Sequence, residues 1–197
     1  MDIGIFTHDS MLSQEADMKR FFMALIILLA IVISTIAAIP AYAAADNLVL
    51  PQSLEVIQDE AFEGATSLDY VYLREGVTII GERAFSACKS LSEVTLPEAL
   101  EKLGTGVFYG CAALKEIKIP AKIKAIGTDT FANCTALASV KIPESVAEIG
   151  ERAFIECTSL KNVYFGGTQA QWKTVKIGAG NPKMGGFLAK IKVSFNA

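Results

Sequence analysis

Apolar residues recur along this chain at a fixed interval of 23. One column is Phe62, Phe85, Phe108, Phe131 and Phe154, and a second is Leu68, Leu91, Leu114, Leu137 and Leu160. Val71, Val94, Ile117, Val140 and Val163 keep the same step, as do Leu73, Leu96, Ile119, Ile142 and Phe165. Two further columns run Leu54, Val77, Leu100, Ile123, Val146 and Ile57, Ile80, Leu103, Ile126, Ile149. A period of this length, kept across so many columns, marks a chain built of stacked supersecondary units.

Within the unit L-x-x-[VI]-x-[LI]-P, apolar and polar residues alternate towards the end, which is the period of a short strand with one buried face. Pro97, Pro120 and Pro143 follow that stretch directly, and a residue without an N–H ends a ladder at that level. Strands are predicted near 48–50, 71–73, 94–96, 117–119, 140–142 and 163–165. Stacked in parallel they predict one six-stranded sheet, with turns and short extended or 3₁₀ segments on the other side of each coil. Gly81, Gly104, Gly127 and Gly150 close the second stretch and are expected to make tight turns at positive φ. A single coil cannot bury its own apolar columns, so the ends of the stack need covering. After Phe165 the period breaks. Thr168 is placed to N-cap a short helix carrying Trp172, and Lys190 to Phe195 alternates like a closing strand.

The unit I-P-x-x-V-x-x-I-G-x-x-A-F-x-x-C-x-x-L is matched almost position by position from Ile142-Pro143 through Leu160. It resembles the BspA-type leucine-rich repeats of bacterial surface and secreted proteins. Gly166-Gly167-Thr168 with Gln171-Trp172 is similar to the ending often found after such arrays. The resemblance covers about residues 48–177. It implies a leucine-rich-repeat solenoid, a right-handed coil, with an array over 44–165 holding five 23-residue repeats (50–164) and a C-terminal capping segment over 166–197. For function it implies adhesion, host-matrix binding or coaggregation. Repeat one departs from the pattern, with Gln58 in place of the glycine and Ala65 in place of the cysteine.

Ahead of the array, Phe21 to Ile39 is an uncharged apolar run of nineteen residues that begins directly after Lys19-Arg20 and leads to Ala41-Tyr42-Ala43. A basic pair, an apolar run and an A-x-A site form the order of a secretory signal. Residues 1–43 are therefore predicted to be a signal segment, with the mature chain beginning at or near Ala44. Asp2, Asp9, Glu15 and Asp17 make the stretch before the run acidic, so Met18 reads as the natural start and 1–17 as an upstream extension. The rival reading is an uncleaved anchor, because nineteen residues come near the ~20 that span a bilayer. The protein is expected to be secreted or at the cell surface, with no membrane contact once the signal is removed.

Composition changes meaning once that segment is set aside. The whole chain is 52% hydrophobic with a formal charge of -3. Residues 44–197 hold 16 Lys and Arg against 17 Asp and Glu, a balance that excludes a nucleic-acid binder on bulk charge. The one histidine, His8, leaves with the signal. Its loss excludes Ser-His-Asp and Cys-His catalysis and any zinc site that needs an imidazole. Gly178, Gly180, Gly185 and Gly186 spell neither a dinucleotide fingerprint nor a phosphate loop. No enzyme is expected, and no cofactor.

Cys88, Cys111, Cys134 and Cys157 also keep the 23-residue step. They read as a buried ladder, and Ala65 in the same slot suggests that the slot requires smallness rather than a thiol. No metal is expected, since there is no close C-x₂₋₄-C pair. No disulfide is expected either, because side chains one coil apart and parallel suit the ~3.8 Å Cβ spacing of a bridge poorly.

The outward strand positions remain as binding candidates. One column runs Val49, Tyr72, Thr95, Lys118, Lys141, Tyr164, and its neighbour runs Tyr70, Glu93, Glu116, Ser139, Asn162. Tyrosines beside lysines suit recognition of a protein or glycan on a host or neighbouring cell, so Tyr70, Tyr72, Lys118, Lys141 and Tyr164 are the candidate ligand-binding residues. Ordinary strand propensity also accounts for Tyr and Thr there. The 166–197 tail holds Lys173, Lys176, Lys183, Lys190 and Lys192 and no acidic residue. It is either a solvated cap that protects the end of the stack or a contact for an anionic surface. Two functions follow: an exported binding or adhesion module working through the sheet face, or a structural, wall-associated protein located by its basic end.

Overall fold

The computed structural model describes residues 47–50, 53–182 and 192–195, all within the unit Asp46–Ala197. The signal segment predicted over 1–43 lies outside the described residues, as do Lys183 and Lys190. The chain is a leucine-rich-repeat solenoid in which each coil carries two short strands. The first coils hold β1 (Asn47–Val49), β2 (Val56–Ile57), β3 (Tyr70–Tyr72), β4 (Ile79–Ile80), β5 (Glu93–Thr95) and β6 (Lys102–Leu103). The later coils hold β7 (Glu116–Lys118), β8 (Ala125–Ile126), β9 (Ser139–Ile142), β10 (Glu148–Ile149) and β11 (Asn162–Phe165). A single turn of helix, α1 (Gln169–Trp172), precedes β12 (Lys176–Ile177) and β13 (Lys192–Phe195).

The expected single six-stranded sheet is replaced by a richer arrangement. Among the described residues the first face carries seven parallel strands in two groups, β1-β3-β5 and β13-β11-β9-β7. Residues 23 apart stand directly opposite, as Val71 does Val94 and Val163 does Val140. The second face carries β2-β4-β6 and β12-β10-β8 where extended or 3₁₀ segments were expected. The reason is the constant period. Two extended residues at one level of every coil place their N–H and C=O groups level with those of the next coil, so they pair.

The repeating columns are the core. Leu91, Leu114, Val140, Val163, Ile80 and Ile149 are fully buried, and so are Phe85, Phe108, Phe131 and Phe154. The five rings stack face to face at 5.2–5.8 Å between neighbouring centroids and 9–11° between planes. That column brings aromatic contact energy beyond its buried area.

The glycines do something other than expected. Gly81, Gly104, Gly127 and Gly150 are not at positive φ. They sit where the coil below comes closest. A Cβ on Gly104 would lie 2.7 Å from the Glu82 nitrogen, and one on Gly150 would lie 2.6 Å from the Thr128 nitrogen. Gln58 in the first repeat is consistent with this, since the residue 23 positions before it lies outside the array.

Positive φ falls instead at two corners of the coil, mostly on ordinary residues. One corner is Glu60, Arg83, Gly106, Asp129, Arg152 and the other is Gly64, Ala87, Gly110, Asn133, Glu156. This conformation costs a non-glycine residue about 1–2 kcal/mol. It is repeated because it turns the N–H along the stack. Arg83 N donates to Thr105 O at 2.9 Å, Asp129 N to Glu151 O at 3.0 Å, and Ala87 N to Tyr109 O at 2.6 Å.

The cysteine slot is likewise more than small. Each thiol donates to the carbonyl of a phenylalanine 26 residues earlier: Cys88 to Phe62, Cys111 to Phe85, Cys134 to Phe108 and Cys157 to Phe131, at 3.0–3.1 Å. A thiol at position 65 would need the carbonyl of residue 39, inside the apolar run ahead of the array. Alanine therefore suits the first repeat and cysteine the rest.

Past Phe165 the coil path is imitated rather than abandoned. The Thr168 hydroxyl accepts from Gln171 N at 3.3 Å, and the Gln171 side chain accepts from Thr168 N at 2.7 Å. This reciprocal box starts α1 and directs Trp172 inward, edge-on to Phe165 at 5.1 Å. β12 then extends the second face onto β10, and β13 extends the first face onto β11. In the coils, the N–H of Phe131 donates to Ala153 O of the next coil. At the last coil the N–H of Phe154 donates instead to the side-chain oxygen of Asn181 at 2.9 Å. The Asn181 amide nitrogen in turn donates to Gly150 O and Gly178 O, both at 2.8 Å.

Candidate binding face

Register sets the candidate site. Val71, Val94, Ile117, Val140 and Val163 point into the core, and alternation puts their neighbours outward. Tyr72 stands opposite Thr95, Lys118 opposite Lys141, and Tyr164 opposite both Lys141 and Ser194. The parallel column pairs Tyr70 with Glu93, and then Glu116, Ser139, Asn162 and Lys192 in succession.

Tyr72 is 46% exposed and Tyr164 44% exposed, and they are two of four large apolar or aromatic side chains left exposed among the described residues. Finding half of these in one outward column is what singles the face out. Tyr70 is half-buried. The predicted tyrosines do not form one cluster, because Tyr72 and Tyr164 are four coils apart, about 19 Å at ~4.8 Å per strand.

Lys118, Lys141 and Tyr164 do come together on consecutive strands. The Lys118 ammonium pairs with Glu98 at 2.5 Å and holds that carboxyl below the usual carboxylate range. Lys141, exposed and directly opposite Lys118, has no ion pair with any described residue. Like charges placed opposite one another on a sheet repel, and Glu98 relieves one of the two.

The described tail lysines divide between places. Lys173 follows α1, Lys176 lies in β12 on the second face, and Lys192 lies in β13 on the binding face, all exposed. Two lysines were missed by the sequence reading. Lys115 and Lys161, both exposed, occupy the position just before the strand in a column that runs Asp69, Ser92, Lys115, Ala138, Lys161. The same 23-residue step identifies them. Among the described residues no group of three or more His, Cys, Asp or Glu is placed to hold a metal ion.

This face belongs to a recognisable architecture. Residues 41–161 match the family model described as the BspA type leucine-rich repeat region, in six copies. The chain belongs to the BspA-type leucine-rich repeat family. The six copies exceed by one the five full periods of the sequence reading. A leucine-rich cell surface protein from Faecalibacterium prausnitzii A2-165 is 34% identical, matched over 66% of this chain and 35% of its own, with a TM-score of 0.65. The T. pallidum leucine-rich repeat protein is 29% identical over 77% of this chain and 73% of its own, with a TM-score of 0.59. The pneumococcal vaccine antigen PcpA shares the fold at 21% identity, over 81% of this chain and 38% of its own, with a TM-score of 0.63. The chain spans about a third of the length of the F. prausnitzii protein. No match was found among curated proteins. No helix among the described residues is long and apolar enough to cross a membrane.

Proposed function

We propose that this BspA-type protein is an exported, non-enzymatic binding module that recognises a protein or glycan on a host or neighbouring cell through its outward strand face. The observation that carries the reading is the exposure of Tyr72 and Tyr164, 46% and 44%, in the column shared with Lys118 and Lys141. Rigid aromatics give contact area at low entropy cost, and flanking ammonium groups add charge recognition. The description of the F. prausnitzii relative as a cell surface protein supports a surface role.

The face is narrow. Seven strands at ~4.8 Å span about 29 Å, and three residues per strand make it about 10 Å tall. That is a few hundred Å², against ~800 Å² per partner in a standard stable interface. One copy is therefore expected to bind at micromolar strength or poorer, with useful adhesion arising from many copies.

A glycan array and a host-matrix screen identify the ligand. Tyr72→Ala combined with Tyr164→Ala should then abolish binding without moving the melting temperature. A second reading, a wall-associated repeat protein located by its basic end, is favoured by five lysines and no acid over 166–197. If the five-lysine variant loses the ligand while the tyrosine variant keeps it, the second reading wins. Export rests on the run from Lys19 to Ala43. N-terminal sequencing of exported protein should begin near Ala44, and full-length protein in the membrane fraction would mean an anchor.

A further inference from the structure

The strand face changes character along its length. Towards the first coils its exposed charges are mostly acidic: Asp69, Glu75 and Glu93. Over the last coils Lys141, Lys161 and Lys192 are exposed on or beside β9, β11 and β13. The exposed acids around them are Glu144, past the end of β9, Glu156, ahead of β11, and Glu116, opposite Ser139 on β7. Tyr164 stands among these lysines, opposite Lys141 on one side and Ser194 on the other. Asn162 stands between Ser139 and Lys192, and the N–H of Lys192 donates to Lys161 O at 2.8 Å. None of the three lysines has an ion pair with a described residue.

We infer that β9, β11 and β13 form a subsite for a carboxylated polysaccharide, a glycan of uronic acids. Lys141, Lys161 and Lys192 pair with its carboxylates, the Tyr164 ring packs on the apolar face of one sugar, and Ser139, Asn162 and Ser194 exchange hydrogen bonds with ring hydroxyls. The inference rests on the binding-face reading and narrows it to one ligand class at one end.

Three observations lead there. The lysines lie on or beside three successive strands but at different levels along them, Lys141 opposite Tyr164 and Lys192 opposite Asn162. They therefore surround Tyr164 and Asn162 with positive charge that an anionic chain can meet. Lys141 faces Lys118 with no acid of its own, and an incoming carboxylate removes that repulsion. The area is too small for a stable protein partner but wide enough for a few sugars of an extended chain. A phosphate polymer would satisfy the lysines and leave Tyr164 and Asn162 without a role, which is why the sugar acid is preferred.

The test is titration calorimetry of the protein with polygalacturonate, with its methyl-esterified form and with inorganic polyphosphate, over a salt series. Polygalacturonate should bind, more weakly as salt rises, and the esterified polymer should not. Lys141→Gln, Lys161→Gln and Lys192→Gln together should lower affinity about tenfold or more. Tyr164→Ala should lower it about tenfold, while Tyr109→Ala, exposed but off the strand face, and Lys173→Gln with Lys176→Gln leave it unchanged. All four variants carry surface changes, and an unaltered melting temperature verifies that each is folded. Polyphosphate binding as tight as polygalacturonate, with Tyr164→Ala neutral, would reduce the subsite to a general polyanion surface and overturn the inference. No binding of polygalacturonate, while Tyr72 and Tyr164 still govern some other ligand, would overturn the subsite and leave the binding-face reading standing. Polygalacturonate binding that survives the sheet variants and is lost with Lys173 and Lys176 would place the ligand on the cap.

Discussion

The Cys111 thiol donates a hydrogen bond to the carbonyl oxygen of Phe85, 26 residues earlier, at 3.1 Å. Cys88, Cys134 and Cys157 repeat the relation with Phe62, Phe108 and Phe131. Burial pushes the thiols of Cys88 and Cys157 up to about 12 from an ordinary value of 9.0, and raises those of Cys111 and Cys134 as well.

A folded-state pKa above the unfolded one gives stability that is complete below the unfolded value and is lost as pH rises through the folded one. The melting temperature should therefore hold up to about pH 8 and fall steadily from about pH 9 towards 12. Replacing all four cysteines by alanine should flatten that fall, at a cost of ~0.5–1.5 kcal/mol for each thiol bond lost. The cost is modest because each carbonyl keeps a backbone donor, as Phe108 O keeps the N–H of residue 111. Calorimetry across the alkaline range checks it, and a melting temperature level to about pH 10.5 contradicts buried protonated thiols. Native protein should titrate almost no thiol and denatured protein four.

Gly104→Ala should destabilise by ~1–3 kcal/mol, because its Cβ would lie 2.7 Å from backbone atoms of Gly81 and Glu82 that belong to the adjoining coil. Gln58→Gly, at the equivalent place in the first repeat, should cost less than ~1 kcal/mol, the ordinary penalty of backbone freedom. Urea unfolding of the two variants distinguishes close approach from turn formation. Equal costs would mean that the glycine serves the turn.

Asn181→Ala should cost ~1–3 kcal/mol by leaving the Phe154 N–H and the Gly150 and Gly178 carbonyls without their partner. Asn181→Asp keeps the acceptor for Phe154 and loses both donated bonds, so it should fall between alanine and the native residue. Hydrogen exchange reads the effect locally. The Phe154 amide should lose protection in the alanine variant more than the Phe108 amide, whose partner is Thr130 O of the next coil.

What the sequence determined by itself is the core and the first-face strands, which the period places directly, but not the pairing of the second face that the same period imposes. The 23-residue columns named the core residues and placed the first-face strands from β1 to β11 to within a residue. Thr168 and Trp172 announced a capped turn of helix, and the alternation up to Phe195 announced a closing strand. These are local signals: alternation, a cap and a proline can be read within one coil.

The tertiary structure decided what each repeated residue touches. Glycine at 104 and cysteine at 111 are conspicuous in the sequence, yet the reasons for them lie 22 to 26 residues away, in Glu82 and Phe85. The turn at positive φ fell on Arg83 and Asp129 rather than on the glycines, because there the N–H is aimed at the next coil. Stacking likewise gave Lys118 its Glu98, left Lys141 beside it without one, and carried Lys192 onto the face of Tyr164 while Lys176 went to the other. A periodic pattern specifies which side of a coil a residue occupies. Its neighbours, and hence its charge environment, exist only once the coils are stacked.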